Sequence, residues 1–402
     1  MYFSILLLLI VVLFEPLLET SFLPGIILIL ELVYLSFLIL RNPKISIAFI
    51  FFCIYLVVLL AWSLLVNPSH YSSYIFRVFT YFSQLIIGTG LFIRVFNDPY
   101  KKKKVVNSFI VLIMFMAIYC IIEGLYEKNL LFSNLFREDW YAKTIYGDAR
   151  GYRASGSMES PLVMSFPILL CLNFSYINLR LNDKKKYAIP FLLCLISLYF
   201  FQTRTVYLCA VICIFLVELH RTSKKDGKLK WNVLIFAILT FIIGSIYKDY
   251  LITLFTGNIM SYTHRLESIK FVLNLIVNQN PIYLLIGHGY GSLSYKVYIE
   301  KLTITTEGFY AIDNEYITVL YEIGILGLLL SSAVYVYLIK ICKNMSASKR
   351  MLFITSSICY AIYLFSFNFF HWFSMATIAA FTLGAFISEK KQNRNKDEEI
   401  HL

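Results

Sequence analysis

Arg150, Arg153, Arg204 and Arg265 stand apart from the lysine-rich clusters of this chain, each beside a short patterned segment. A guanidinium is planar and permanently charged and can meet two oxygens of one anionic group at once, which a lysine ammonium cannot. Arg204 is the most pointed case, because it separates two short apolar runs and an intramembrane cation costs about 2.5–3.5 kcal/mol. It either serves chemistry or snorkels from a hairpin tip to the interface. For proton transfer, Asp313 is the first candidate base, followed by Glu315, Glu159, His288 and Glu322. A placed base contributes about 10²–10⁴-fold, although Asp313 is equally suited to a salt bridge with an arginine. Asn314 reads as a helix cap, worth about 1 kcal/mol. His288 lies between Gly287 and Gly289, which favours a loop role or a ligand contact over catalysis. The run Gly287-x-Gly289-x-Gly291 is not a dinucleotide fingerprint, since it lacks the Gly-x-x-Gly step into a helix. The chain has no P-loop, no His-Glu-x-x-His and no Asp-x-Asp pair, which disfavours a cytosolic nucleotide-sugar transferase.

The elements that must position these residues are membrane helices. Of 402 residues, 59% are hydrophobic and only 15% charged, far from the quarter charged that soluble domains carry. On the criterion of about 20 mainly apolar residues per crossing, twelve segments qualify: 2–18, 22–40, 45–66, 74–96, 105–125, 158–179, 187–201, 205–219, 231–247, 315–339, 351–370 and 373–388. The expected architecture is an all-α polytopic helical bundle, with one transmembrane domain over 1–388 and a charged cytoplasmic tail over 389–402, solvated and disordered over 389–399. With both termini inside, the inner loops and tail hold 24 of the 36 Lys and Arg residues, as the positive-inside rule expects. The net charge of +12 is therefore a topology signal and no argument for nucleic acid. Two outer segments, 126–157 and 248–314, are too long for turns and should carry function. An amphipathic stretch over 266–277 is expected to lie at the interface or pack on the bundle.

Three smaller features complete the reading. The eight cysteines sit in or beside apolar runs with no Cys-x-x-Cys pair, which points to neither a disulfide framework nor a zinc site. Glu31 lies in mid-span and should face the interior with a partner, and Glu15-Pro16 should kink the first span. The chain has no convincing cleavable signal peptide, and the first run reads as a first span or a signal anchor.

The stretch Asp313-Asn314 followed after nine residues by Gly324-x-x-Gly327 resembles the O-antigen polymerase and O-antigen ligase superfamily. In ligases the first position of this motif is typically His, and Asp313 favours a polymerase. Arg153-Ala154-Ser155-Gly156 resembles the superfamily's Arg-x-x-Gly segment, and Gln202-Thr203-Arg204-Thr205 resembles its short Ser/Thr-Arg turn. His264-Arg265 followed by the glycine-rich run at 287–291 is similar to its long-loop pattern.

The resemblance implies a C-type glycosyltransferase-like enzyme of the bacterial cytoplasmic membrane that acts on undecaprenyl-diphosphate-linked glycan at the outer face. No metal or cofactor is needed, and a chain-length regulator is the implied partner. Arg204, Arg265, Asp313 and Arg153 would be catalytic. Arg150, Glu159, His288, Tyr290, Asn314, Glu315 and Glu322 would bind substrate, and Tyr146, Tyr152, Tyr290 and Tyr310 are the rings to test for glycan contact. A ligase acting on lipid A core or protein is the nearest alternative. A polysaccharide transporter or flippase is the second, although related halves and a midplane site are not evident.

Overall fold

The computed structural model describes residues 1–20, 22–41, 47–136, 152–223, 259–277, 280–299, 312–343 and 345–400. They are mostly helical, with no strand among the described residues. Among the described residues, six helices are long and apolar enough to cross a membrane, covering Leu23–Leu40, Phe49–Val66, Ser69–Phe96, Pro99–Tyr126, Pro161–Leu181 and Gly324–Cys342. The expected twelve crossings are thus not all matched. The segment 231–247 lies outside the described residues. The first expected span is split into α1 (Tyr2–Leu13) and α2 (Glu15–Thr20), with the break at Phe14 just before the Glu15-Pro16 pair. The expected span 315–339 is also two helices, because Gly324, the first residue of the second, adopts a left-handed backbone, φ +73°.

In chain order there follow α3 (Leu23–Arg41), α4 (Ile47–Val66), α5 (Ser72–Phe96), α6 (Pro99–Tyr126), α7 (Pro161–Leu181), α8 (Ala188–Phe201) and α9 (Arg204–Ser223). After them come α10 (Ile259–Val277), α11 (Pro281–Ile286), α12 (Glu315–Glu322), α13 (Gly324–Cys342), α14 (Ala347–Ser366) and α15 (Phe373–Ile400). Local sequence sets the helix starts. Asp98 accepts from the amides of Tyr100 at 3.0 Å and Lys101 at 3.2 Å, and Pro99 takes the first position of α6. The Lys101 N–H is the main cause that holds Asp98 below its ordinary pKa. At 28 residues α6 is about 42 Å long, enough to cross the bilayer core, whereas the 14 residues of α8 reach about 21 Å and fall short.

Side chains assigned to one membrane side come together. Lys102 Nζ donates to Ala385 O at 2.7 Å and pairs with Glu389 at 2.5 Å, and Lys349 binds the same carboxylate. Arg180 Nε meets Glu218 Oε1 at 2.6 Å. Lys102, Arg180 and Lys349 are among the cations expected on the inner side. The 389–399 segment, expected to be disordered, instead continues α15 to Ile400, since its Lys, Glu, Gln and Arg residues are good helix formers and Glu389 anchors its base. Within the bundle, Gln84 Nε2 donates to Glu31 Oε1 at 2.8 Å, the partner the mid-span acid needs. The most extensive helix pair is α5 with α15, brought close by Gly88 facing Ala380 and Gly384 facing Phe92. The long 248–314 segment includes α10 and α11. Val272 and Ile276 of α10 pack with Leu293, Val297, Ile312 and Tyr321.

Candidate functional site

Two groups of polar residues lie where the motifs fall. The first is built around Glu123, near the end of α6. Its carboxylate is fully buried and accepts the Tyr152 hydroxyl at 2.8 Å, the Ser155 amide at 2.9 Å and the Ser155 hydroxyl at 3.2 Å on Oε1, with the Gly156 amide at 2.8 Å on Oε2. Gly156 turns the loop with φ +63°, in space closed by Cys120 and Met164. On its other side the loop is fastened to the α8–α9 turn. Ala154 N–H donates to Phe200 O at 2.9 Å, Arg153 Nε donates to Phe201 O at 3.3 Å, and Gln202 Nε2 donates to Tyr152 O at 3.1 Å. Arg153 and the Gln202-Thr203-Arg204 turn, two motifs about 50 residues apart in sequence, are thereby one structural unit. Glu159 is buried with φ +54° just before Pro161 opens α7.

The second group is built around Glu322, the last residue of α12. Its carboxylate accepts the Gly291 amide at 2.8 Å, the Leu293 amide at 3.1 Å and the Ser294 amide at 3.4 Å. Gly287, Gly289 and Gly291 all have positive φ, and a side chain at Gly287 would meet Glu322 O at 2.3 Å, so the glycines allow the loop to lie directly on the helix end. The same loop is held from α4. Trp62 Nε1 donates to Gly287 O at 3.0 Å, Asn67 Nδ2 donates to His288 O at 2.7 Å, and Tyr290 N–H donates to Ser63 Oγ at 2.8 Å. His288 is sandwiched between Tyr283 and Tyr321, and burial pushes its imidazole below the ordinary value.

A third wall comes from the turn between α14 and α15. Phe370 N–H donates to Glu315 Oε2 at 3.1 Å, and Asn368 Nδ2 donates to Ser294 Oγ at 3.5 Å. His371 stacks on Tyr290 and places Nε2 at 3.7 Å from Glu322 Oε2. Burial pushes the His371 imidazole down to about 3. Phe166 of α7 packs against Phe369 and Tyr363, which ties this turn to the core beneath the Arg153 loop.

The residues expected from sequence divide accordingly. Arg153 belongs to the first group and Arg204 follows the turn bonded to it, and Asn314, Glu315, Glu322, His288 and Tyr290 share the second. Asp313 precedes Asn314, whose Oδ1 accepts the Ile317 amide at 3.2 Å and caps α12. Arg150, Tyr146 and Tyr310 lie outside the described residues, as does the side chain of Arg265, whose backbone is in α10. Two of the rings considered for glycan contact are interior. Tyr152 is 7% exposed and bonded to Glu123, and Tyr290 is 1% exposed between Phe82 and His371. Sequence reasoning missed Glu123 and His371. An acid in an otherwise apolar span was the signal for Glu123, the same signal that marks Glu31. Nothing in the sequence around His371 distinguishes it from a polar turn residue.

Residues 189–332 match a protein-family model described as O-antigen ligase. The matched segment spans Arg204, Arg265, the glycine-rich loop and the Asp313 motif, and leaves out the Arg153 loop, Glu123 and His371. A search of curated proteins returned no match.

Proposed function

Taking the O-antigen polymerase and ligase superfamily, which the match over 189–332 supports, as the premise, we propose that this protein is a membrane glycosyltransferase. In this reading it polymerises lipid-diphosphate-linked oligosaccharide units into a surface polysaccharide at the outer face of the cytoplasmic membrane. The observation that supports the reading is the union of the Arg153 loop with the Phe201–Gln202 turn, which joins the segments that carry Arg153 and Arg204. When the bond between a sugar's anomeric carbon and its diphosphate breaks, negative charge grows on the leaving oxygen. Guanidinium groups already in place stabilise that charge without further reorganisation. The hydroxyl of the incoming unit attacks the anomeric carbon, the lipid diphosphate departs, and the hydroxyl proton passes to a base, for which Asp313 at the mouth of α12 is the first choice.

The ligase reading keeps one observation in its favour, the description of the matched family itself. Asp313 at the position where ligases typically carry His favours polymerase. Glycan analysis of a deletion strain separates the two: loss of a polymerase leaves single units on the acceptor, and loss of a ligase leaves none. The site is tested with purified protein in proteoliposomes supplied with lipid-diphosphate-linked repeat units. Arg204→Ala and Arg153→Ala should abolish chain extension while the protein inserts normally, and Arg204→Lys should also impair it because charge alone does not reproduce the planar fork. Intact extension in the alanine variants would reject the assignment.

A further inference from the structure

We infer that Glu123 is a positioning residue for Arg153, a clamp whose carboxylate holds the 152–156 loop against the α8–α9 turn and thereby sets where the arginine is presented. The inference rests on the proposed reading of Arg153 and goes beyond it, because Glu123 belongs to none of the recognised motifs and lies outside the matched segment.

The geometry is specific. The four donors that converge on the Glu123 carboxylate flank Arg153 on both sides, Tyr152 before it and Ser155 and Gly156 after it. The atoms of the loop that turn away from Glu123 are taken by the opposite wall. Tyr152 O accepts from Gln202, Ala154 N–H donates to Phe200 O, and Arg153 Nε donates to Phe201 O. Asn129 adds a further strut, with Nδ2 donating to Gly156 O at 2.7 Å and Oδ1 accepting the Tyr119 hydroxyl at 2.7 Å. A carboxylate in an apolar span is costly unless it is fully engaged, and here each of its oxygens accepts a backbone amide of the same loop. A glutamate engaged in this way fixes the backbone on either side of Arg153. Its effect on catalysis must then pass through Arg153.

The test uses the full chain in detergent and in proteoliposomes, with wild type, Glu123→Gln, Glu123→Ala and Arg153→Ala. Hydrogen–deuterium exchange of the peptide covering 152–158 reads the clamp directly. Loss of the carboxylate should speed exchange of the Ser155 and Gly156 amides by about tenfold or more, the factor set by one hydrogen bond to a charged acceptor. Glu123→Gln, which keeps one acceptor oxygen, should fall between wild type and Glu123→Ala. Unchanged exchange in Glu123→Ala overturns the clamp whatever the enzyme does.

Chain extension of lipid-diphosphate-linked repeat units extracted from a deletion strain reads the positioning role. Glu123→Gln should lower kcat with little change in KM, and Glu123→Gln combined with Arg153→Ala should be no slower than Arg153→Ala alone. A purely structural glutamate would give additive losses, and that result overturns the positioning role. If Arg153→Ala itself extends chains normally, the proposed function of that arginine fails, and the exchange result still decides the clamp.

Discussion

Replacing Glu322 should dismantle the glycine-rich loop, and the structure sets the size of the effect. Three buried amides, those of Gly291, Leu293 and Ser294, end on this one carboxylate at 2.8, 3.1 and 3.4 Å. A buried donor left without a partner costs about 1–3 kcal/mol. The Ser294 contact is long enough to discount, so Glu322→Leu strands two donors and should destabilise by about 2–6 kcal/mol. Part of that is offset because leucine removes the burden of burying a charge. Glu322→Gln keeps one acceptor oxygen but turns an amide N–H₂ toward an N–H of the loop, and about 1–3 kcal/mol is expected. The assay is the loss of monodisperse protein with temperature, followed by fluorescence-detected size exclusion in detergent. If Glu322→Leu lies within about 0.5 kcal/mol of wild type, the range of uninvolved surface sites, the loop does not depend on the carboxylate and the reasoning fails.

Two smaller perturbations follow from the same region. Asn314→Ala removes the cap on the Ile317 amide and should cost about 1 kcal/mol in the same assay, with Asn314→Ser restoring most of it. For His371 the folded-state pKa of about 3 lies below its ordinary value of 6.5. Below about pH 6.5 the unfolded chain therefore binds a proton that the folded chain does not. Its contribution to stability is complete above that pH and is lost progressively as pH falls toward about 3. His371→Gln should show a shallower fall in unfolding temperature between about pH 6.5 and 4.5 than wild type, and equal slopes would contradict a buried neutral imidazole.

Long apolar runs were legible in the sequence because a spanning helix is declared by its own composition, as in the helix Pro99–Tyr126. Its limits came where backbone geometry intervenes. The stretch 315–339 is apolar enough to read as one helix, yet a single left-handed glycine at 324 divides it. In the site, the motif residues Arg153, Arg204 and Asn314 were identifiable by type and spacing. Their supports were not, because Glu123 and His371 acquire meaning only when loops distant in sequence fold onto them. Tyr290 shows the converse: an aromatic residue in a promising loop is taken up by packing. Propensity, finally, prevailed in the tail, where charged residues extend α15 instead of fraying.

The seam between α5 and α15 has a consequence for biogenesis. Gly88 meets Ala380 and Gly384 meets Phe92, so α5 finds its most extensive partner among the described helices in one that is translated long after it. Until then α5 must wait in the bilayer with its small-residue face against lipid or a chaperone. The α5–α15 pairing therefore forms only once α15 has been made, and the same step brings the His371 turn to the glycine-rich loop. A chain truncated before residue 373 would keep every recognised motif and still lack the helix on which α5 packs most extensively.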